Sequence, residues 1–227
     1  MFRSAVPLLA VLVLSLPGAG HAATFTEGSD YVLVTPVQQT TVPKGKVEVM
    51  EVFSYGCPVC NAFRPVAEKL RQSLPPNAQL VYLPASFNNT AEDWPMFQRA
   101  YFAAQFLGIA ERTHQAMFDA VWKTGELATS DYGTHRLRNP QPSIEQAAAF
   151  YARVAGVNPQ QFLAMANSFG VDSKMRAADS QILAMHVTGT PTIIVNGKYR
   201  ITREDWQANT ARFIELVKYL VARESGS

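Results

Sequence analysis

The chain has 227 residues, enough for one large domain or two small ones around a sizeable core. Apolar residues make up 48% and charged residues 17%, which excludes bulk disorder. Lys and Arg number 20 against 18 Asp and Glu, a net +2 with no basic stripe, so no nucleic-acid partner is expected.

The first 22 residues differ from the rest. Arg3 gives a positive start, Ala5 to Leu16 is nearly all Ala, Val and Leu, and Pro17 to Ala22 is a small-residue stretch. This is the anatomy of a cleavable secretory signal, with cutting expected near Ala22. The competing reading is a membrane anchor, but a twelve-residue run falls short of the roughly 20 residues a bilayer needs. The mature protein is therefore expected to be exported and soluble.

Residues 23–45 are polar and turn-rich, with Tyr31 to Val34 as an edge strand. Lys46 to Phe53 reads as a central strand: Val47, Val49, Glu51 and Phe53 share one face, Glu48, Met50 and Val52 the other. Glu48 is read as a surface residue near the strand start. A helix is predicted next. Pro58 suits its first position, Phe63, Val66, Ala67, Leu70 and Leu74 share a side, and Pro75-Pro76 stops it. Gln79 to Leu83 closes a strand–helix–strand unit.

Five helices are predicted over Trp94–Leu107, Ala110–Trp122, Ser143–Val154, Asn158–Ser168 and Val171–Met185. Ser143 with Gln146 is a capping box, and Asn158-Pro159 is an N-cap followed by a first-turn proline. Gly108, Gly156 and Gly170 are taken as end markers. Thr124 to Pro142 reads as a polar loop carrying His135, Arg136 and Arg138. Strand signal returns in Thr192 to Val195 and Lys198 to Ile201 around Asn196-Gly197, a two-residue hairpin turn. A last helix is predicted from Arg203 to Ala222, with Phe213, Leu216, Val217 and Leu220 on one side. A lone hairpin is unstable, so the late strands should complete the early sheet. The organisation expected is α/β: residues 23–90 and 187–227 form one layered unit, and 91–186 form a helical insertion.

The chain has two cysteines, Cys57 and Cys60, with Pro58 and Val59 between them. Two cysteines placed at random would fall three apart in roughly one chain in a hundred. Cys57 lies at about the N-cap of the first helix, facing unpaired N–H groups and the positive dipole end, both of which favour thiolate. Cys60 lies on the same side of the first turn. The pair can exchange with another disulfide, Cys57 attacking and Cys60 resolving. In such motifs the thiol pKa falls to between about 3.5 and 7.5. A static local disulfide is the bland alternative, but so short a loop is a poor staple. A zinc site would need two more ligands, and His114, His135 and His186 are scattered, so no metal is expected and each His is read as a surface or packing residue.

The run Gly45 to Cys60 resembles the active-site segment of the DsbA family of periplasmic thiol:disulfide oxidoreductases. Gly189-Thr190-Pro191-Thr192, running into Ile193 to Gly197, resembles that family's cis-proline loop. The resemblance spans essentially the whole mature chain. It implies a thioredoxin-like fold with an inserted helical domain, and a redox-active Cys57–Cys60 disulfide as the sole reactive group, without a cofactor. It implies that Pro191 lies against that disulfide and that the backbone of Thr190 pairs with an extended substrate. The clients implied are unfolded, cysteine-containing exported proteins. A DsbB-type membrane protein would restore the disulfide, and the enzyme would act as a periplasmic monomer. Glu51 stands six residues before Cys57, where the family keeps a buried acid. Its two readings are a proton relay to Cys60 and a strand-end Glu that reaches water. Val59 departs from the family: its strongly oxidising members usually carry His there, and Val offers a thiolate no donor. A weaker oxidant is expected, and a reductase or isomerase on the same fold stays open. So does an exported binding module with a structural disulfide, its pocket lined by Trp94, Phe97, Tyr101, Phe102 and Phe106.

Overall fold

The structure is a computed structural model describing residues 24–87, 92–134, 136–202 and 206–225. The expected leader, residues 1–22 with its cleavage near Ala22, lies outside the described residues, as do His135 and Arg203. In chain order the elements are β1 (Tyr31–Leu33), β2 (Val47–Phe53), α1 (Pro58–Ser73), β3 (Ala78–Pro84), α2 (Trp94–Phe106), α3 (Ala110–Trp122), the short β4 (Ser130–Asp131) and β5 (Arg136–Leu137), α4 (Ile144–Ala155), α5 (Pro159–Ala166), α6 (Phe169–Ala184), β6 (Thr192–Val195), β7 (Tyr199–Ile201) and α7 (Thr210–Glu224).

Five strands form one mixed sheet in the order β1-β7-β6-β2-β3. Strand β2 runs parallel to β3, with α1 as the crossover, and antiparallel to β6. All seven β2 residues are buried, because both sheet faces are covered. Val47 and Val49 pack with Phe63, Val66 and Leu70 of α1 and with Phe213, Leu216, Val217 and Leu220 of α7. Met50 and Val52 join the cluster built by the helices between β3 and β6. Phe53 breaks the alternation. At the strand end its ring meets Tyr82, Tyr101 and His114, at centroid distances of 5.7, 5.5 and 5.0 Å.

Local chemistry explains the element ends. The Ser143–Gln146 capping box forms with both of its bonds, and the Asn158 side chain accepts from Gln160 and Gln161 N–H. Asn196 and Gly197 take positive φ, 53° and 63°, as the two-residue hairpin turn requires. Gly197 has a second reason to be Gly: a Cβ there would run into the Gln38 carbonyl, whose residue pairs with this turn.

Four expectations need correction. Glu48, read as surface, is fully buried, and Thr41, from the stretch before the strand, folds back to bind its carboxylate. Gly170 does not end a helix. It lies in the first turn of α6, which Ser168 caps by accepting from Val171 N–H. The last helix starts at Thr210, not near residue 203: Trp206 leaves the helical path to pack on Phe63 at 5.0 Å, and Asn209 caps the helix. The polar loop after α3 contains the β4–β5 hairpin. Tyr101 and Phe102 border one cavity with Tyr82 and His114, while Phe97 is buried core, Trp94 is half-buried and Phe106 is exposed, so the five do not share a pocket. No helix among the described residues is long and apolar enough to cross a membrane.

Candidate functional site

Cys57 occupies the N-cap of α1 with extended backbone, φ −83° and ψ 118°. Strand β2 delivers the chain to this point through a turn in which Cys57 N–H donates to the Ser54 carbonyl at 3.1 Å and Gly56 N–H to Ser54 Oγ at 3.2 Å. Gly56 is required here by close packing, since a Cβ would meet the Trp94 indole at 2.6 Å. Cys60 N–H donates to Cys57 Sγ at 3.2 Å, so the sulfur takes the capping role that an oxygen usually fills. Pro58 holds the first helical position as expected. Pro58 and Val59 are exposed, Val59 by 45%, while Cys60 is 0% exposed beneath them. Both cysteines are free thiols.

The second half of the site arrives 133 residues later. Helix α6 ends and the chain turns through Gly189 into β6, with the Thr190–Pro191 bond cis. The Cys57 thiol donates to the Thr190 carbonyl at 3.3 Å. Pairing of β6 with β2 fixes this approach: Thr192 lies opposite Val52 and Ile193 opposite Glu51.

The two thiols are driven apart in acidity. The Cys57 pKa falls to about 6. The main cause is a hydrogen bond from the Cys60 thiol; the Thr190 side chain and the N–H groups of Cys60 and Val59 add to it, and together they outweigh desolvation. The Thr190 carbonyl favours the thiol form, but it is one acceptor against several donors. The Cys60 pKa is pushed well above the ordinary range by burial, by its bond to Cys57 and by the charges of Cys57 and Glu51. At pH 7, a thiol of pKa near 6 in place of 9 stabilises the dithiol state by about 1.4 kcal/mol, or roughly 30 mV.

Glu51 lies at 3% exposure on β2, cross-strand from Tyr82. Burial, and then the Cys57 charge, raise its pKa to about 8, so at neutral pH it holds a proton. Among the described residues no hydrogen bond reaches its carboxyl.

His114 was read as an ordinary surface or packing residue, but it is part of this neighbourhood. Its Nδ1 lies 3.0 Å from the Tyr55 hydroxyl, and it stacks on Tyr82 at 4.1 Å. The available signal was periodicity: His114, Met117, Phe118 and Val121 repeat on the apolar side of α3. His186, by contrast, is exposed. Among the described residues no cluster of His, Cys, Asp and Glu is placed to hold a metal ion.

Comparison with known proteins agrees with this geometry. A family model described as a DSBA-like thioredoxin domain matches residues 48–215. The chain is 32% identical over 206 residues to the thiol:disulfide interchange protein DsbA of Pseudomonas aeruginosa, covering 91% of this chain and 89% of that protein. It is 32% identical over 200 residues to the DsbA of Pseudomonas syringae pv. tomato, covering 87% and 85%. Among solved structures, the oxidoreductase DsbA from Xylella fastidiosa aligns with TM-score 0.74 at 33% identity, over 91% of this chain and 100% of that one. Pseudomonas aeruginosa DsbA aligns with TM-score 0.70 at 31% identity, over 89% and 95%. The fold is thioredoxin-like α/β.

Proposed function

The chain belongs to the DsbA family of protein thiol:disulfide oxidoreductases, and on that premise we propose that it introduces disulfide bonds into exported proteins through Cys57 and Cys60. The observation that carries the reading is the split between the thiols: an acidic sulfur at the helix end and a fully buried partner of raised pKa.

In the oxidised enzyme a client thiolate attacks Cys57 Sγ. The Cys57–Cys60 bond breaks as the mixed disulfide forms, and the Cys60 sulfur leaves with the electron pair. Glu51, protonated at neutral pH, gives it a proton. A second client thiolate then attacks the client sulfur, and Cys57 departs as a thiolate, a good leaving group because its pKa is low. Two electrons have moved from client to enzyme. A DsbB-type membrane partner accepts those two electrons from the dithiol and restores the disulfide, so no other cofactor enters. Thr190 and Pro191 would bind the client as an added strand beside the sulfur. Clients are unfolded, cysteine-containing exported chains. The enzyme works in the periplasm as a monomer, after loss of residues 1–22. Residues 23–90 with 187–227 act as the thioredoxin-like unit and 91–186 as the inserted helical domain.

A second reading, a reductase or isomerase on this fold, draws on one observation: Val59 is exposed and its side chain has no donor to offer Cys57. A glutathione titration of the reduction potential separates the two. The test of the site is a pair of variants. Cys57→Ser should abolish oxidation of a reduced, unfolded substrate, and Cys60→Ser should accumulate mixed disulfides. If the two behave alike and neither traps a client, the roles are wrongly assigned.

A further inference from the structure

His114 has no part in the exchange just described, yet its placement is tightly determined. It reaches from α3 to the turn that precedes Cys57, with Nδ1 3.0 Å from the Tyr55 hydroxyl. Tyr82 lies against one face of the ring at 4.1 Å and 28°, and Phe53 and Phe118 meet it edge-on at 5.0 and 5.2 Å. Burial, and then the charge of Arg64, hold its pKa down to about 3, so the imidazole is neutral. A neutral ring and a tyrosine hydroxyl share one proton across this contact, one partner donating and the other accepting.

Tyr55 is held at its other end by the same helix. Trp122, the last residue of α3, donates its indole N–H to the Tyr55 carbonyl at 2.7 Å. Helix α3 therefore grips this residue by hydroxyl and by backbone. Tyr55 stands between Ser54, whose carbonyl receives Cys57 N–H at 3.1 Å, and Gly56, which is packed against the Trp94 indole. A turn fixed in this way sets the direction of the Cys57 side chain. That direction decides whether Sγ stays at 3.2 Å from Cys60 N–H, a contact that weakens steeply with misalignment.

We propose that His114 is a positioning residue for the Cys57 thiolate: with Trp122 it clamps Tyr55, and through Tyr55 it keeps Cys57 Sγ aimed at the first-turn donors of α1. The proposal rests on the reading of Cys57 as the attacking thiol.

The test is the thiolate titration of Cys57, followed by absorbance and by alkylation rate, in the full mature chain. Tyr55→Phe keeps the ring and deletes the hydroxyl. His114→Leu deletes the hydrogen-bond partner, and His114→Asn restores a polar partner near the Nδ1 position. Tyr55→Phe and His114→Leu should each raise the Cys57 pKa by about one unit, a roughly tenfold loss of thiolate at low pH. His114→Asn should recover most of the native value. If Tyr55→Phe and His114→Leu lose stability but keep the native Cys57 pKa, His114 only fills the core and the proposal fails. Should His114→Leu not fold, Tyr55→Phe decides alone, and an unchanged pKa overturns the proposal. A native protein with no thiol titrating below the usual range would instead sink the assignment of Cys57.

Discussion

Strand β2 carries two buried acids three residues apart, and its two ends treat them in opposite ways. Near the start, Glu48 is sealed from solvent and its Oε2 accepts from the Thr41 N–H and the Thr41 hydroxyl, both at 2.6 Å. Near the end, Glu51 lies almost as deep, receives no hydrogen bond from the described residues, and faces the thiols. The first acid fastens a crossing segment to the sheet. The second is left without a partner and therefore keeps its proton. Depth strengthens a carboxyl's hold on its proton, and hydrogen-bond donors offset that.

The sharpest way to break this contrast is Glu51→Gln. An acid whose pKa is raised in the folded state binds its proton more tightly there than in the unfolded chain. Native stability should therefore fall as pH rises from about 4.5 towards 8. Glutamine removes that penalty. In denaturant unfolding of the reduced proteins, the variant should gain on the order of 3–5 kcal/mol at pH 8.5 and nothing at pH 4. Its Cys60-dependent exchange step should also slow. Comparing the two proteins at each pH cancels most of the opposite slope from Cys57, whose lowered pKa adds stability as pH rises from about 6 to 9. A gap that does not change with pH would mean that Glu51 reaches water after all.

Glu48→Ala tests the other end. It removes the carboxylate that holds Thr41, whose donors can then turn to water, and the expected loss at neutral pH is about 1 kcal/mol. The Cys57 titration should not move. If it does, the two ends of the strand are coupled and the contrast collapses.

An effect of similar size is expected on the outer side of the same sulfur. Val59→His adds a donor or a positive charge at the exposed first turn, where Glu51 acts from within. The Cys57 pKa should fall further and the reduction potential should rise by tens of millivolts, about 1 kcal/mol. A glutathione titration in which the potential stays put or falls would show that backbone donors alone set the poise.

Much of this was legible before any coordinates, wherever the signal is local. Ser143 with Gln146, Asn158 with Pro159, and Asn196 with Gly197 each state their geometry within four residues, and each forms as read. The cysteine pair at a helix start is equally local. What stayed hidden depends on distant partners. Alternation put Glu48 and Glu51 on opposite faces, but the burial of Glu48 comes with Thr41 reaching back to its carboxylate. His114 owes its role to Tyr55, 59 residues earlier in the chain. The start of α7 depends on Trp206 finding Phe63.

The bond between Cys57 and the Thr190 carbonyl spans 133 residues, and β6, which carries Thr190 into place, pairs directly with β2. Synthesis from the N-terminus delivers the two cysteines long before this closing segment. Until β6 arrives, the central strand has no neighbour on that side, and the sulfur has its first-turn donors but not the Thr190 backbone. The thiols and the backbone that faces them therefore come together only when β6 pairs with β2, so the chemistry is encoded early in the chain and the surface that meets it late.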